Sequence, residues 1–131
     1  MDRPIIVAVD FDGILCQDKF PEIGKPNYGM ISFIRRLQDS EIETILWTSR
    51  INNRLSKAVE WCEDRGLHFT AINDNTPNNK EEYGTNPRKV YADIYIDDRS
   101  PWMMYKSRPD DLKEIENQVR HIIRQLGGKL I

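Results

Sequence analysis

Ile5-Ile6-Val7-Ala8-Val9 is an unbroken apolar run, and it ends directly on Asp10-Phe11-Asp12-Gly13. A short continuous run of this kind reads as a strand buried on both faces, the strand type of parallel sheets. Two carboxylates one residue apart then stand at its carboxyl end, where open α/β sheets bind their ligands. By itself an Asp-x-Asp also reads as a helix cap or an Asx-turn. A second, largely apolar run, Ala92 to Ile96, ends on a second acidic pair, Asp97-Asp98, and this moves the balance toward chemistry. Four carboxylates at one sheet edge repel one another unless a cation lies among them. A divalent metal is the simplest neutraliser.

The rest of the chain fits such a sheet. Met30, Phe33, Ile34 and Leu37 recur at helical spacing and predict a helix over about Tyr28 to Gln38. Glu43 to Thr48 reads as a second strand. Leu55, Ala58, Val59 and Cys62 repeat the helical stripe before Gly66 closes that helix, and Leu67 to Ile72 supplies a third strand. Asn73 to Arg88 is rich in Asn, Asp, Pro and Gly without periodicity and reads as one long surface loop. Asp93 to Asp97 is the fourth strand. Leu112, Ile115, Val119, Ile122 and Leu126 form the stripe of a final helix stopped by Gly127-Gly128. Alternating short strands and amphipathic helices predict an α/β fold, a Rossmann-like three-layer sandwich on a mainly parallel sheet of four or five strands. At 131 residues we assign one domain over 1–131.

A formal charge of −2, with acidic and basic residues interspersed, gives no electrostatic footprint for nucleic acid or an anionic membrane surface. Nucleic acid and membrane are therefore disfavoured as partners. Cys16 and Cys62 lack metal or redox spacing and suit a reduced compartment. Without a signal peptide pattern or a bilayer-length run, the expected location is the cytoplasm.

Phosphoryl transfer suits these residues best. Asp10 can attack phosphorus and ligate a metal at once, provided the repulsion between two anions is cancelled by magnesium and a nearby lysine. Asp12 stands where it can protonate the leaving oxygen and later take a proton from water. Thr48, at the end of the second strand in Leu46-Trp47-Thr48-Ser49-Arg50, can hold phosphate oxygens with nearby N–H groups, or simply cap the next helix. The substrate-binding set is Thr48, Ser49, Gly13 and Lys89. Lys89 is the favoured cation, with Lys80 in reserve.

This combination resembles the haloacid dehalogenase superfamily of aspartate-nucleophile phosphohydrolases over about the first hundred residues. VAVDFDG looks like its first motif and implies Asp10 as nucleophile and Asp12 as acid/base. WTS looks like the second, with Thr48 on the phosphoryl group. Lys89 in NPRKVYAD matches the basic third motif. YIDD looks like the fourth, with Asp97 and Asp98 as magnesium ligands beside Asp10 and the Asp12 backbone carbonyl. A second Asp at position 12 implies phosphatase chemistry in such a family. Trp47 and Arg99 depart from the family's usual residues, and neither is given a role.

Family members draw specificity from inserted cap domains, but Gly13 to Asn27 and Asn73 to Arg88 are too short to fold as such. The resemblance thus implies a capless member with an open site. Small or macromolecular phosphorylated substrates, or help from a second copy in a homo-oligomer, are the expected partners. Leu15 to Phe20 is either a flap closing over the phosphate, with Phe20 touching the leaving group, or an inert hairpin. Cys16 reads as an inert apolar residue, and His68 and His121 as structural or solvated. Trp102 to Tyr105 is either an interface, the floor of a leaving-group pocket, or peripheral core. Besides a phosphomonoesterase, a nucleotide or nucleic-acid-end phosphatase and a non-catalytic phosphate- or metal-binding module are the competing functions.

Overall fold

The chain runs through β1 (Ile6–Val9), a hairpin of β2 (Cys16–Lys19) and β3 (Glu22–Pro26), α1 (Tyr28–Asp39) and β4 (Glu43–Leu46). It continues through α2 (Asn52–Asp64), β5 (Ala71–Ile72), α3 (Pro77–Tyr83), β6 (Ile94–Ile96) and α4 (Pro109–Gln125). This computed structural model describes residues 3–99 and 109–131, with side chains from 112 onward in the last helix. All four residues of β1 are buried, as a run without polar interruptions requires. β1 pairs in parallel with β4 on one side and β6 on the other, Val9 lying opposite both Leu46 and Ile96. The four-stranded order is β5-β4-β1-β6. Chain direction therefore diverges on the two sides of β1, and the crevice at its carboxyl end is a topological switch point.

One sheet face carries the long helices. Val7 and Val9 pack there with Met30, Phe33, Ile34 and Leu37 of α1, Ala58 and Cys62 of α2, and Ile115, Val119 and Ile123 of α4. Asn27 starts α1 by accepting the Met30 N–H. Gly66 and Gly127 end α2 and α4 in left-handed conformations, φ +82° and +83°. On the other face Ile6, Ala8 and Ile45 are covered by Val90 and Ala92, with Trp47, Ala71 and Tyr95 packed against them. The fold is the expected Rossmann-like three-layer α/β sandwich with a parallel sheet. No helix among the described residues is long and apolar enough to cross a membrane.

Three expectations need correcting. The segment from Asn73 to Arg88 is not all loop: Pro77–Tyr83 forms α3, opened by Pro77 and closed by Gly84 at φ +63°. None of its residues is buried, so no apolar stripe marks it. The third strand is shorter than Leu67 to Ile72, because only Ala71 and Ile72 pair in register with β4. The second strand ends at Leu46, before Thr48.

Asp93 fastens β6 to the amino end of β1. Its carboxylate accepts from Arg3 Nη2 and Nη1 at 2.7 and 3.0 Å, from the Ile6 N–H at 2.9 Å and from the Tyr91 hydroxyl at 3.0 Å. Burial works against its ionisation, but Arg3 and the other two donors outweigh it and hold the carboxyl below the usual range. A depressed carboxyl stabilises the fold above its unfolded pKa, and this contribution disappears as pH falls through the folded value. Asp93→Ala is expected to cost about 1–3 kcal/mol by denaturant unfolding at pH 7. The gap from the parent should narrow as pH falls below the ordinary carboxylate range; a gap independent of pH would contradict the clamp.

Candidate functional site

Main-chain bonding carries Asp10 one step beyond β1. Its N–H donates to the Ile96 carbonyl at 2.9 Å, while the Val9 carbonyl accepts the Trp47 N–H at 2.8 Å. Asp10 therefore lies beside the end of β6, where Asp97 and Asp98 follow. One carboxylate oxygen from each of Asp10, Asp97 and Asp98 lies within 4.8 Å of the others. Burial, then a hydrogen bond with the Asp98 carboxyl and the charge of Asp97, pushes Asp10 up to about 8. Three oxygen donors of one charge sign are the chemistry of a hard divalent cation. Gly13, at φ +89°, makes the approach of Asp98 feasible, since a Cβ there would collide with Asp98 Oδ2.

These carboxylates line an open cleft of about 640 Å³ together with Asp12, Asp18, Phe20, Thr48, Ser49 and Arg99. Six sequence-selected residues, Asp10, Asp12, Thr48, Ser49, Asp97 and Asp98, thus meet in one place. Thr48 does not cap α2, whose first flanking residue is Ile51. Its N–H instead donates to Asn73 Oδ1 at 2.8 Å, and its hydroxyl oxygen accepts the Arg50 N–H at 3.2 Å. The hydroxyl keeps its own proton to donate.

The Asp12 carboxylate is not among the three that converge, and the metal contact expected of this residue is through its backbone carbonyl. Both carboxylate oxygens accept from Arg50, at 2.8 Å each. Arg50 is buried, and its pairing with Asp12 holds the guanidinium firmly ionised. Sequence reasoning overlooked this residue. The available signal was a cation two positions after Thr48, on a chain presenting four carboxylates to the same sheet edge.

Neither candidate lysine lines the cleft. Lys89 is exposed, with Nζ 5.6 Å from the centroid of the Tyr95 ring, and Lys80 pairs with Asp74 at 2.7 Å. Arg99 is among the residues that line the cleft, and its backbone N–H donates to Asp97 Oδ1 at 2.9 Å. Cys16 and Cys62 are buried free thiols that burial pushes up to about 11 and about 12, as inert residues. His68 and His121 are exposed. Trp102 to Tyr105 lies outside the described residues.

No family model matches the chain, and no curated protein matches it. Among solved structures, a conserved protein encoded by a locus of Bacteroides thetaiotaomicron is similar, with 33% identity and a TM-score of 0.74. The likeness covers 91% of this chain and 92% of that one. At that identity over nearly the whole of both chains, the protein belongs to the same family as this conserved Bacteroides thetaiotaomicron protein.

Proposed function

We propose that the protein is a magnesium-dependent phosphohydrolase of the haloacid dehalogenase type, capless and acting on phosphomonoesters through an aspartyl-phosphate at Asp10. The observation that carries this is the convergence of Asp10, Asp97 and Asp98 in a cleft that Asp12 and Thr48 also line. A carboxylate oxygen of Asp10 attacks phosphorus as the bond to the leaving oxygen breaks, and that oxygen takes a proton from Asp12. Water then attacks phosphorus, gives a proton to Asp12 and releases inorganic phosphate with the Asp10 carboxylate restored. Thr48 donates its hydroxyl proton to a phosphoryl oxygen, and Ser49 beside it completes the cradle; Gly13, expected in the same role, donates its N–H to the Cys16 carbonyl at 2.9 Å instead. Asp10, Asp97 and Asp98 would hold the magnesium ion, which would supply the positive charge that lets two anions meet.

Phosphate release from a panel of phosphate esters, with and without magnesium, tests the proposal. Metal-dependent turnover that falls by at least about 10³-fold in Asp10→Asn is expected. Turnover retained by that variant would contradict it. Because Asn relieves a buried and crowded carboxylate, the metal-free variant should also melt at a temperature about 3 °C or more above the parent at pH 8. A lower melting temperature would mean that the crowding is not costly.

The cation facing the phosphoryl group divides Arg99, which lines the cleft, from Lys89, which lies over Tyr95. The lining favours Arg99. Its replacement by Ala should lower kcat/KM about tenfold more than Lys89→Ala does, as a lost charge-assisted contact to the phosphoryl group would. The opposite order would return the role to Lys89.

A further inference from the structure

We propose that Arg50 is a positioning residue that locks the β2–β3 hairpin to Asp12, so that placing the hairpin and aiming the acid/base are one event. The aiming of an acid/base rests on the hydrolase reading above; the lock itself does not.

Arg50 has only 2% of its surface exposed, and a guanidinium so deeply placed is retained only when its donors are satisfied. Nε and Nη2 grip the two oxygens of Asp12, which fixes the plane of that carboxylate as well as its position. Nη2 also donates to the Glu22 carbonyl at 2.9 Å, and Nη1 to the Pro21 carbonyl at 3.2 Å. Both carbonyls belong to the turn and start of the second hairpin strand, so one rigid fork spans the sheet edge and the hairpin. Two rings hold the fork in place: its carbon lies 5.2 Å from the centroid of the Phe11 ring and 5.1 Å from that of Phe20. Phe11 is core, fully buried between the two aspartates in sequence, whereas Phe20 is half-exposed at the hairpin tip and lines the cleft. The Arg50 N–H reaches Thr48 as well. A single residue thus joins the proposed acid/base, the phosphate-binding hydroxyl and the element beside the mouth.

If Arg50 were only a buried structural cation, its loss would weaken the fold and depress all substrates alike. Aiming Asp12 has a different signature, because a proton donor matters most when the leaving oxygen is strongly basic. The test compares an alkyl phosphate with an aryl phosphate of an acidic phenol, in the full chain carrying Arg50→Ala or Arg50→Lys. For Arg50→Ala, kcat/KM on the alkyl ester should fall about 100-fold, and on the aryl ester no more than about threefold. Lysine cannot grip both oxygens and should rescue neither the alkyl activity nor the hairpin. It also retains the buried charge should the alanine variant fail to fold. Adding Arg50→Ala to Asp12→Asn should cost nothing further on the alkyl ester.

Amide hydrogen exchange over residues 16–26, measured without substrate, reads the lock directly. Exchange about tenfold faster or more in Arg50→Ala is expected, since the opening of a local unit tracks the bonds that hold it. Unchanged exchange would overturn the lock whatever the kinetics, and equal losses on both esters would overturn its coupling to the acid/base. A parent chain inert to both esters, with the hairpin still loosened in the variant, would remove the hydrolase reading and leave the lock in place.

Discussion

The parallel register that sets Val9 opposite Ile96 is the constraint on which the site depends. Side chains alternate along a strand, so a slip of one residue would carry every apolar group of β1 to the wrong face. With both faces buried, such a slip would put Val7 and Val9 under the small cluster around Val90 and Ala92, which holds Ile6 and Ala8. Core packing thereby fixes where the strand stops. It also fixes that Asp10 emerges beside Asp97 and Asp98. The Asp93 clamp at the opposite end of β6 holds the same pairing from below, with Arg3 and the Ile6 N–H as its anchors.

Packing alone would leave an electrostatic problem, and the chain meets it in two ways. Burial, and then the hydrogen bond that Asp10 shares with Asp98, make Asp10 hold a proton far more strongly than an ordinary carboxyl. Asp12, two residues on, is turned toward Arg50 and kept out of the crowd. The two carboxylates of one short motif consequently sit in unlike surroundings, one crowded by acids and one gripped by a base. Without a cation the crowded Asp10 carboxyl keeps its proton, so its role as nucleophile requires the positive charge that Asp10, Asp97 and Asp98 would hold.

Much of this was legible in the residue pattern because it rests on strong local signals. The buried run before Asp10, the stripe Met30, Phe33, Ile34 and Leu37, and the stop at Gly66 each reflect one dominant physical preference. The α3 helix was missed because it buries nothing, leaving only Pro77 and Gly84 as punctuation at its ends. Convergence of Asp10, Asp97 and Asp98 was foreseeable from strand ends, whereas the departure of the Asp12 carboxylate was not. It depends on Arg50 lying between Phe11 and Phe20, a three-way contact among segments far apart in sequence. Lysines were likewise weak signals: a long, flexible cation can be placed near almost any edge until the fold shows that Lys80 pairs with Asp74.

A covalent phosphoryl group on Asp10 is the central claim. Acid-quenching the protein during turnover and reducing it with borohydride would convert an acyl phosphate at that position to homoserine, which peptide mass spectrometry can locate. Homoserine at position 10, absent when substrate is omitted, is the predicted result. Phosphate release with no modification at that position, under conditions that trap a control acyl phosphate, would contradict the account.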